Sequence, residues 1–449
     1  MLLKGRGFIS PFFIVVKWLI IPDWVVKISA IHKQHKDIIM TLTPKKLTLA
    51  VAATMFSYPI YAANFESPDT VENTISAQKN VQKPLRESLA DSGLTFGLDY
   101  NSQGFSSSSG FNGEKASVAS GVARFYGQWN LVNLGSQNTG GFVWKIEHRH
   151  AYTDSAINSY AFMADENLGY VGMLNPAFND QGTRITNFHW KQKLNDGKTS
   201  MIIGFQDVTD YVDVYALASP WSGFSNLAFQ TGSGAMGLPD DGLLGLTIGH
   251  MITDNYYVVA GVADANGYSD VEKMFGGFDS LFNEHDLFKS IELGWTSSQE
   301  NIYTNNVHVT YWHLDPTEAT NGSARHSSKK SSGFNFSASY FVNDNIMPFF
   351  RMGYSLEGDA ALYKTSVSTG VGYFGLGQPT NTLGVAVNWS KINEAEFGID
   401  DSQIVAEIYY NMQFGDHFQL TPDMQVIVDP AFSNEVVAVV FGLRGRLYF

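Results

Sequence analysis

From residue 93 to the carboxy-terminus the sequence predicts an all-β fold, a transmembrane antiparallel β-barrel of sixteen strands with short periplasmic turns and long external loops. Three observations carry that prediction. The segments alternate apolar and polar side chains with period two, the mark of strands whose two faces meet different surroundings. None is a continuous apolar run of helix length, so any spanning region is made of strands, which lipid tolerates only when the sheet closes on itself. The connections alternate in length, short after even-numbered segments and mostly long after odd ones, as in an outer-membrane barrel and without reason in a soluble sandwich.

Composition narrows the class. The 449 residues carry 29 Lys+Arg against 43 Asp+Glu, a net charge of −14. Eight basic and two acidic residues lie in the first 62, leaving 21 basic and 41 acidic side chains in the rest. That acidity argues against nucleic acid as a partner, since backbone binding needs a cationic face. With no cysteine there is neither a disulfide framework nor a thiolate metal site. Aromatics at 14% and 42 glycines, with charged residues at only 16%, suit a strand-rich chain with much half-buried surface.

The amino-terminus reads as targeting. Residues 40–62 run from Met40 through Lys45 and Lys46, an apolar stretch from Leu47 to Phe56, and a small-residue end at Ala62. That is the order of a secretory signal peptide, too short to span a bilayer. Residues 1–39 read as an upstream extension ahead of the true start at Met40. Residues 63–92 are a polar periplasmic leader, with a short helix possible near 81–89 and a stop at Ser92-Gly93. The chain is therefore expected to be exported to a Gram-negative outer membrane.

The sixteen segments fall at 94–101, 120–131, 141–151, 184–194, 200–207, 243–251, 255–263, 289–298, 304–313, 333–343, 346–356, 365–374, 382–391, 402–414, 417–428 and 435–449. In the last, Val437, Val439, Phe441, Leu443, Leu447 and Phe449 share one face, while Arg444 and Arg446 share the other. The turns after even segments include Asn195-Asp196-Gly197-Lys198 and Gly415-Asp416. The long connections are 102–119, 152–183, 208–242, 264–288 and 314–332.

Alternation then sorts the faces. Trp129, Trp190, Trp389, Tyr373, Tyr410 and Phe449 fall outward near strand ends, where aromatic girdles form. Asp99, Arg124, Lys145, Glu147, Arg149, Lys191, Glu292, Arg351, Glu407, Asp423, Arg444 and Arg446 fall inward. A bore of sixteen strands is too wide for side chains to fill, so a wall of both signs predicts a water channel rather than a packed core.

The connection 208–242 is too long and too aromatic to float freely, with Tyr211, Tyr215, Trp221, Phe224, Phe229 and the pair Asp240-Asp241. It is expected to fold inward and narrow the pore. Aromatic rings pack on the C–H faces of sugars while flanking Arg, Asp and Glu bond hydroxyls, so Trp221, Phe224 and Phe229 are candidate contacts for a neutral, hydroxyl-rich solute. The alternative is a loop that sets bore size alone.

Phe224-Ser-Asn-Leu-Ala-Phe229, followed by Gly237-Leu-Pro239 and Gly242-Leu-Leu-Gly245, resembles the middle signature of the carbohydrate-selective porins of the OprB type. Phe418-Gln-Leu-Thr-Pro-Asp-Met-Gln425, then Asp429-Pro430 and Gly442-Leu-Arg444, resembles that family's carboxy-terminal signature. The resemblance covers residues 92–449. It implies a sixteen-stranded outer-membrane channel for passive uptake of monosaccharides such as glucose, with Asp423, Gln425 and Arg444 on the lumen wall and 224–229 in a constriction loop.

Other classes find little support. No H-E-x-x-H, G-x-S-x-G or phosphate loop is present, so no enzyme, metal or cofactor is expected. His148 and His150 share one strand face, which suits a surface or girdle role. The rivals to a sugar channel are a general or cation-leaning porin, and an adhesion or receptor barrel that binds through its external loops. Small sugars, outer-membrane lipid and lipopolysaccharide are the expected contacts, with monomer and homotrimer both compatible.

Overall fold

The computed structural model describes residues 89–108, 117–158, 168–267, 273–317 and 327–449. The expected signal peptide at 40–62, the expected upstream extension at 1–39 and most of the expected leader at 63–92 lie outside these residues. The strands are β1 (Leu94–Ser107), β2 (Ser117–Val132), β3 (Gly140–Ala151), β4 (Gly182–Leu194), β5 (Thr199–Gln206), β6 (Leu243–Met251), β7 (Tyr256–Asp264) and β8 (Leu287–Thr296). They continue as β9 (Asn306–Leu314), β10 (Ser331–Ser339), β11 (Ile346–Glu357), β12 (Tyr363–Phe374), β13 (Thr382–Ile392), β14 (Ser402–Phe414), β15 (Phe418–Val428) and β16 (Val437–Tyr448).

Each strand pairs with its sequence neighbours and β1 pairs with β16, so the sheet is a closed antiparallel barrel of sixteen strands. The seam is zipped to the last residue, because the Phe449 N–H donates to the Leu98 carbonyl at 2.9 Å. Closure leaves no unpaired strand edge, the condition a barrel must meet in lipid. No helix among the described residues is long and apolar enough to cross a membrane.

Strand alternation sorts the two faces. Along β16, Val437, Phe441, Leu443 and Leu447 are exposed outward, while Ala438, Val440, Arg444 and Arg446 are buried inward. Trp129, Trp389 and Phe449 are exposed on the outer face, and Trp190, Tyr373 and Tyr410 are half-buried on it. His148 and His150 also point outward, with the His150 Nε2 3.0 Å from the Tyr100 hydroxyl.

Two expectations are corrected. β1 runs six residues beyond the predicted 94–101. The Ser-Gln-Gly-Phe-Ser-Ser stretch has loop-like composition, yet it pairs on both sides, as in Gln103↔Ser120 and Gln103↔Arg444. Ladder bonds to two neighbours outweigh weak local propensity. The lumen is also not simply water. Part of it holds a packed core in which Tyr215, Leu217, Trp221, Phe224 and Phe229 meet inward residues Phe349, Val405, Tyr409 and Val440. Glycine makes room for that core at one close approach: a Cβ on Gly384 would stand 2.2 Å from the Tyr409 ring.

Candidate functional site

The β5–β6 connection, residues 207–242, crosses the lumen and is stitched to the wall at three places. Its start is a short 3-10 turn, Val208–Asp210, whose amide at Thr209 donates to the Asp207 carboxylate at 3.0 Å.

The first stitch is Asp213, where a φ of 53° turns the chain toward the wall. Its carboxylate accepts from Arg351 of β11 at 2.5 Å and lies 3.1 Å from His308 Nε2 of β9. Its amide donates to Glu292 of β8 at 2.8 Å. Burial alone raises such a carboxyl, but Arg351, helped by His308 and the Gly232 amide, outweighs burial and holds Asp213 below the usual carboxylate range. Tyr215 lies under the Arg351 guanidinium at 4.3 Å and donates to the Phe229 carbonyl at 2.7 Å.

The second stitch runs over β14 to β16. Both oxygens of Glu407 accept backbone amides, from Ser225 at 2.6 Å and Asn226 at 2.9 Å. Arg444 donates to the Pro220 and Gly223 carbonyls, each at 2.9 Å, and Asn226 donates to Gln425 at 2.9 Å. Asp423 sits beside that pair and accepts from Gln425 at 3.2 Å. Phe224 is fully buried among Tyr409, Phe229 and Phe349, with ring centroids 4.9 to 5.7 Å away.

The third stitch is Asp240-Asp241, which meets Arg184 and Arg149 on the wall of β4 and β3. Arg149 bridges Asp241 and Glu147, each at 2.6 Å, and Arg184 bonds both loop aspartates.

Between the loop and this wall lies a cavity of about 230 Å³. A single water needs only roughly 10–15 Å³ of such space. Trp221, Gln230 and Leu238 line it from the loop, and Lys145, Glu147 and Arg149 from the wall, with Asp207, Asp210, Asp240 and Asp241 around them. Lys145 lies 3.2 Å from Asp210 and 3.5 Å from Asp207. Trp221 is held from behind by Arg124, whose guanidinium lies 4.0 Å from the ring. Arg124 is in turn fixed by Asp99 at 2.5 Å, which also pairs with Arg446 at 3.0 Å.

Of the inward residues singled out in the sequence, Lys145, Glu147, Arg149 and Trp221 meet at the cavity. Asp99, Arg124, Arg351, Glu407, Asp423, Gln425, Arg444 and Arg446 lie beneath the loops as their supports, and Phe224 and Phe229 belong to the packed core. Arg184 was missed because strict alternation from Lys191 puts it outward. A bulge between Lys145↔Asn187 and Ile146↔Ile185 turns it inward, as one extra residue flips every side chain beyond it. Residues 168–181 were read as external loop, yet Leu168, Tyr170, Val171, Leu174 and Phe178 are buried against the constriction loop. Their apolar run was the available signal. Among the described residues no group of three or more acidic or histidine side chains has a metal-binding arrangement.

The sequence profile of the carbohydrate-selective porins, OprB family, matches residues 98–449. The chain belongs to the OprB family. The OprB of Pseudomonas putida, in its high-pH structure, shares this barrel at a TM-score of 0.62 and 18% identity, over 82% of this chain and 96% of that one. An anion-selective porin from Comamonas acidovorans aligns at a TM-score of 0.47 and 9% identity, over 79% of this chain and 99% of that one. No curated protein matches in sequence. As an OprB-family porin the protein resides in the Gram-negative outer membrane.

The pore of this OprB-family barrel is expected to respond to pH through its loop. Burial, with Asp210 beside it, pushes the Asp207 carboxyl up to about 6, against the opposing pull of Lys145. Above that pH Asp207 is charged; below it the lining loses a negative charge. The K⁺/Cl⁻ permeability ratio is expected to fall as pH is lowered through this value, and Asp207→Asn to keep the lower ratio at every pH. Reversal potentials in a salt gradient check both.

Proposed function

We infer that the protein passes small neutral carbohydrates, monosaccharides such as glucose, by passive diffusion through the constriction at Trp221. The observation that carries this reading is the cavity itself, where the part of the Trp221 indole left uncovered by Arg124 and Phe178 shares the lining with ion-paired carboxylates and the Arg149 guanidinium. An indole offers a flat surface to the C–H face of a sugar ring, and charged donors and acceptors bond its hydroxyls more strongly than neutral ones. Glu147, Arg149, Lys145, Asp210 and Asp241 are the groups placed to do so. Glu147, Asp210 and Asp241 are each paired with Lys145 or Arg149, so a sugar hydroxyl meets fixed dipoles at these positions, while the lining as a whole keeps a surplus of carboxylates. Liposome swelling tests it: glucose is expected to enter faster than a zwitterion of equal size, and equal rates would contradict a sugar-preferring constriction.

The charge of the lining favours a second property. Among the described lining residues five carboxylates face two cations, Lys145 and Arg149. Small inorganic ions should therefore cross with a preference for cations.

A further inference from the structure

The β7–β8 connection leaves the wall on the side opposite to the constriction loop. Its described part carries one helix, α1, with an α-helical turn at Gly276–Asp279 that widens into a π-type turn at Ser280–Glu284. What the helix rests on fixes its side of the sheet. A Cβ on Gly277 would stand 3.3 Å from the Leu244 Cβ and 3.2 Å from the Asp264 carboxylate. Phe205 meets Phe275 and Phe278 edge-on, with ring centroids 6.5 and 6.1 Å away. Phe205 pairs with Leu244, two residues from the exposed Ile203, and Asp264 lies four residues from Ala260, the partner of the exposed Ile291. All three supports share the parity of the outward row. The helix therefore lies outside the barrel, on its lipid-facing wall at the long-loop end.

Its side chains are arranged backwards for water. Phe275, Phe278 and Phe282 are 71%, 45% and 63% exposed, and successive rings stack at 6.4 and 6.2 Å. The residues buried against the barrel are Gly277 and Ser280, and Ser280 Oγ accepts from Asn266 at 2.8 Å. A helix on a watery surface does the reverse, hiding its apolar stripe and showing its polar one. Spacings of three and four keep the three phenylalanines on one face. Asp279 and Asn283, hydrogen-bonded to each other, occupy the neighbouring stripe, with Glu284 and His285 exposed beyond them. One face on the barrel, one aromatic and one polar is the pattern of a helix lying in a membrane interface. The aromatic face is also continuous with Ile203, Ile248 and Ile291, the outer row that lipid already covers in an outer-membrane barrel.

We propose that α1 is an outer-leaflet anchor, its phenylalanine ladder inserted among lipid acyl chains beside β5 to β7 and its Asp279–Asn283 stripe turned to the headgroups. The ligand is hydrocarbon, not a polypeptide. The anchor fixes the depth of the long-loop end and keeps this connection out of the pore.

The absence of cysteine makes the test direct. Phe282→Cys, carrying an environment-sensitive fluorophore, is reconstituted in phosphatidylcholine vesicles and quenched either by lipids bearing a nitroxide high on the acyl chain or by aqueous iodide. Ile291→Cys on the outer row and Glu435→Cys in an external loop are the references. Lipid nitroxide is expected to quench position 282 as it does 291, and iodide severalfold less than at 435. Iodide quenching equal to that at 435 would overturn the proposal. So would loss of lipid quenching together with energy transfer between labels on separate copies, which would show that a second copy of the chain covers the ladder.

Discussion

Arg351→Ala is expected to unlatch the constriction loop and raise single-channel conductance severalfold. Arg351 holds Asp213 through its carboxylate at 2.5 Å and its carbonyl at 3.1 Å, and reaches Ser233 at 3.2 Å. Both members of the pair are almost wholly buried, with side-chain exposures of 1% and 0%. Removing one partner of a buried ion pair costs about 3–5 kcal/mol, because the other charge is left without compensation. Here that charge is Asp213, on a loop segment left with His308, the Gly232 amide and its own N–H bond to Glu292. The loop should move before the barrel unfolds, since Arg351 takes part in the β11 ladder through its backbone, which the substitution leaves in place. Conductance should increase and discrimination between glucose and larger sugars should fall, while the heat-resistant mobility of the folded barrel in detergent gels is retained. Unchanged conductance in a folded variant would show that Asp213 is not a latch.

Trp221→Ala is expected to slow glucose flux about tenfold, equivalent to about 1.4 kcal/mol of lost interaction, with little loss of ion conductance. The ring forms one side of the cavity and rests on Phe178, 5.5 Å away, and on Arg124. A cation over a desolvated aromatic face is worth about 2 kcal/mol, so Arg124 positions the indole as well as pairing with Asp99. Arg124→Ala should therefore lower sugar flux in the same direction, because Asp99 keeps Arg446 and the wall keeps its fold. Coupled residues give non-additive effects. The double variant should be little slower than Trp221→Ala alone, and strictly additive losses would show that the two residues act separately.

The barrel was legible because lipid and lumen impose period two on nearly every strand. The bounds of the segments at 243–251 and 402–414 coincide with β6 and β14. The inward loop was legible for a related reason, since Trp221, Phe224 and Phe229 are too apolar for an external connection. Two kinds of information were hidden. Registers that depend on a bulge, such as the one that turns Arg184 inward, change parity without any local signature. Partnerships across the lumen were hidden as well, because Arg351 and Asp213 are 138 residues apart in sequence. Alternation shows that Arg351 and Glu407 face inward but not whether water or a loop covers them. In the folded protein loops cover both, so much of the inward charge supports the constriction and only part of it faces the solute.

The most direct test of the account is ion current through single pores in a planar bilayer as glucose is added. The constriction at Trp221 predicts steady open current that falls with glucose in a saturable way, with the block relieved in Trp221→Ala. Steady current that glucose leaves unchanged would contradict it.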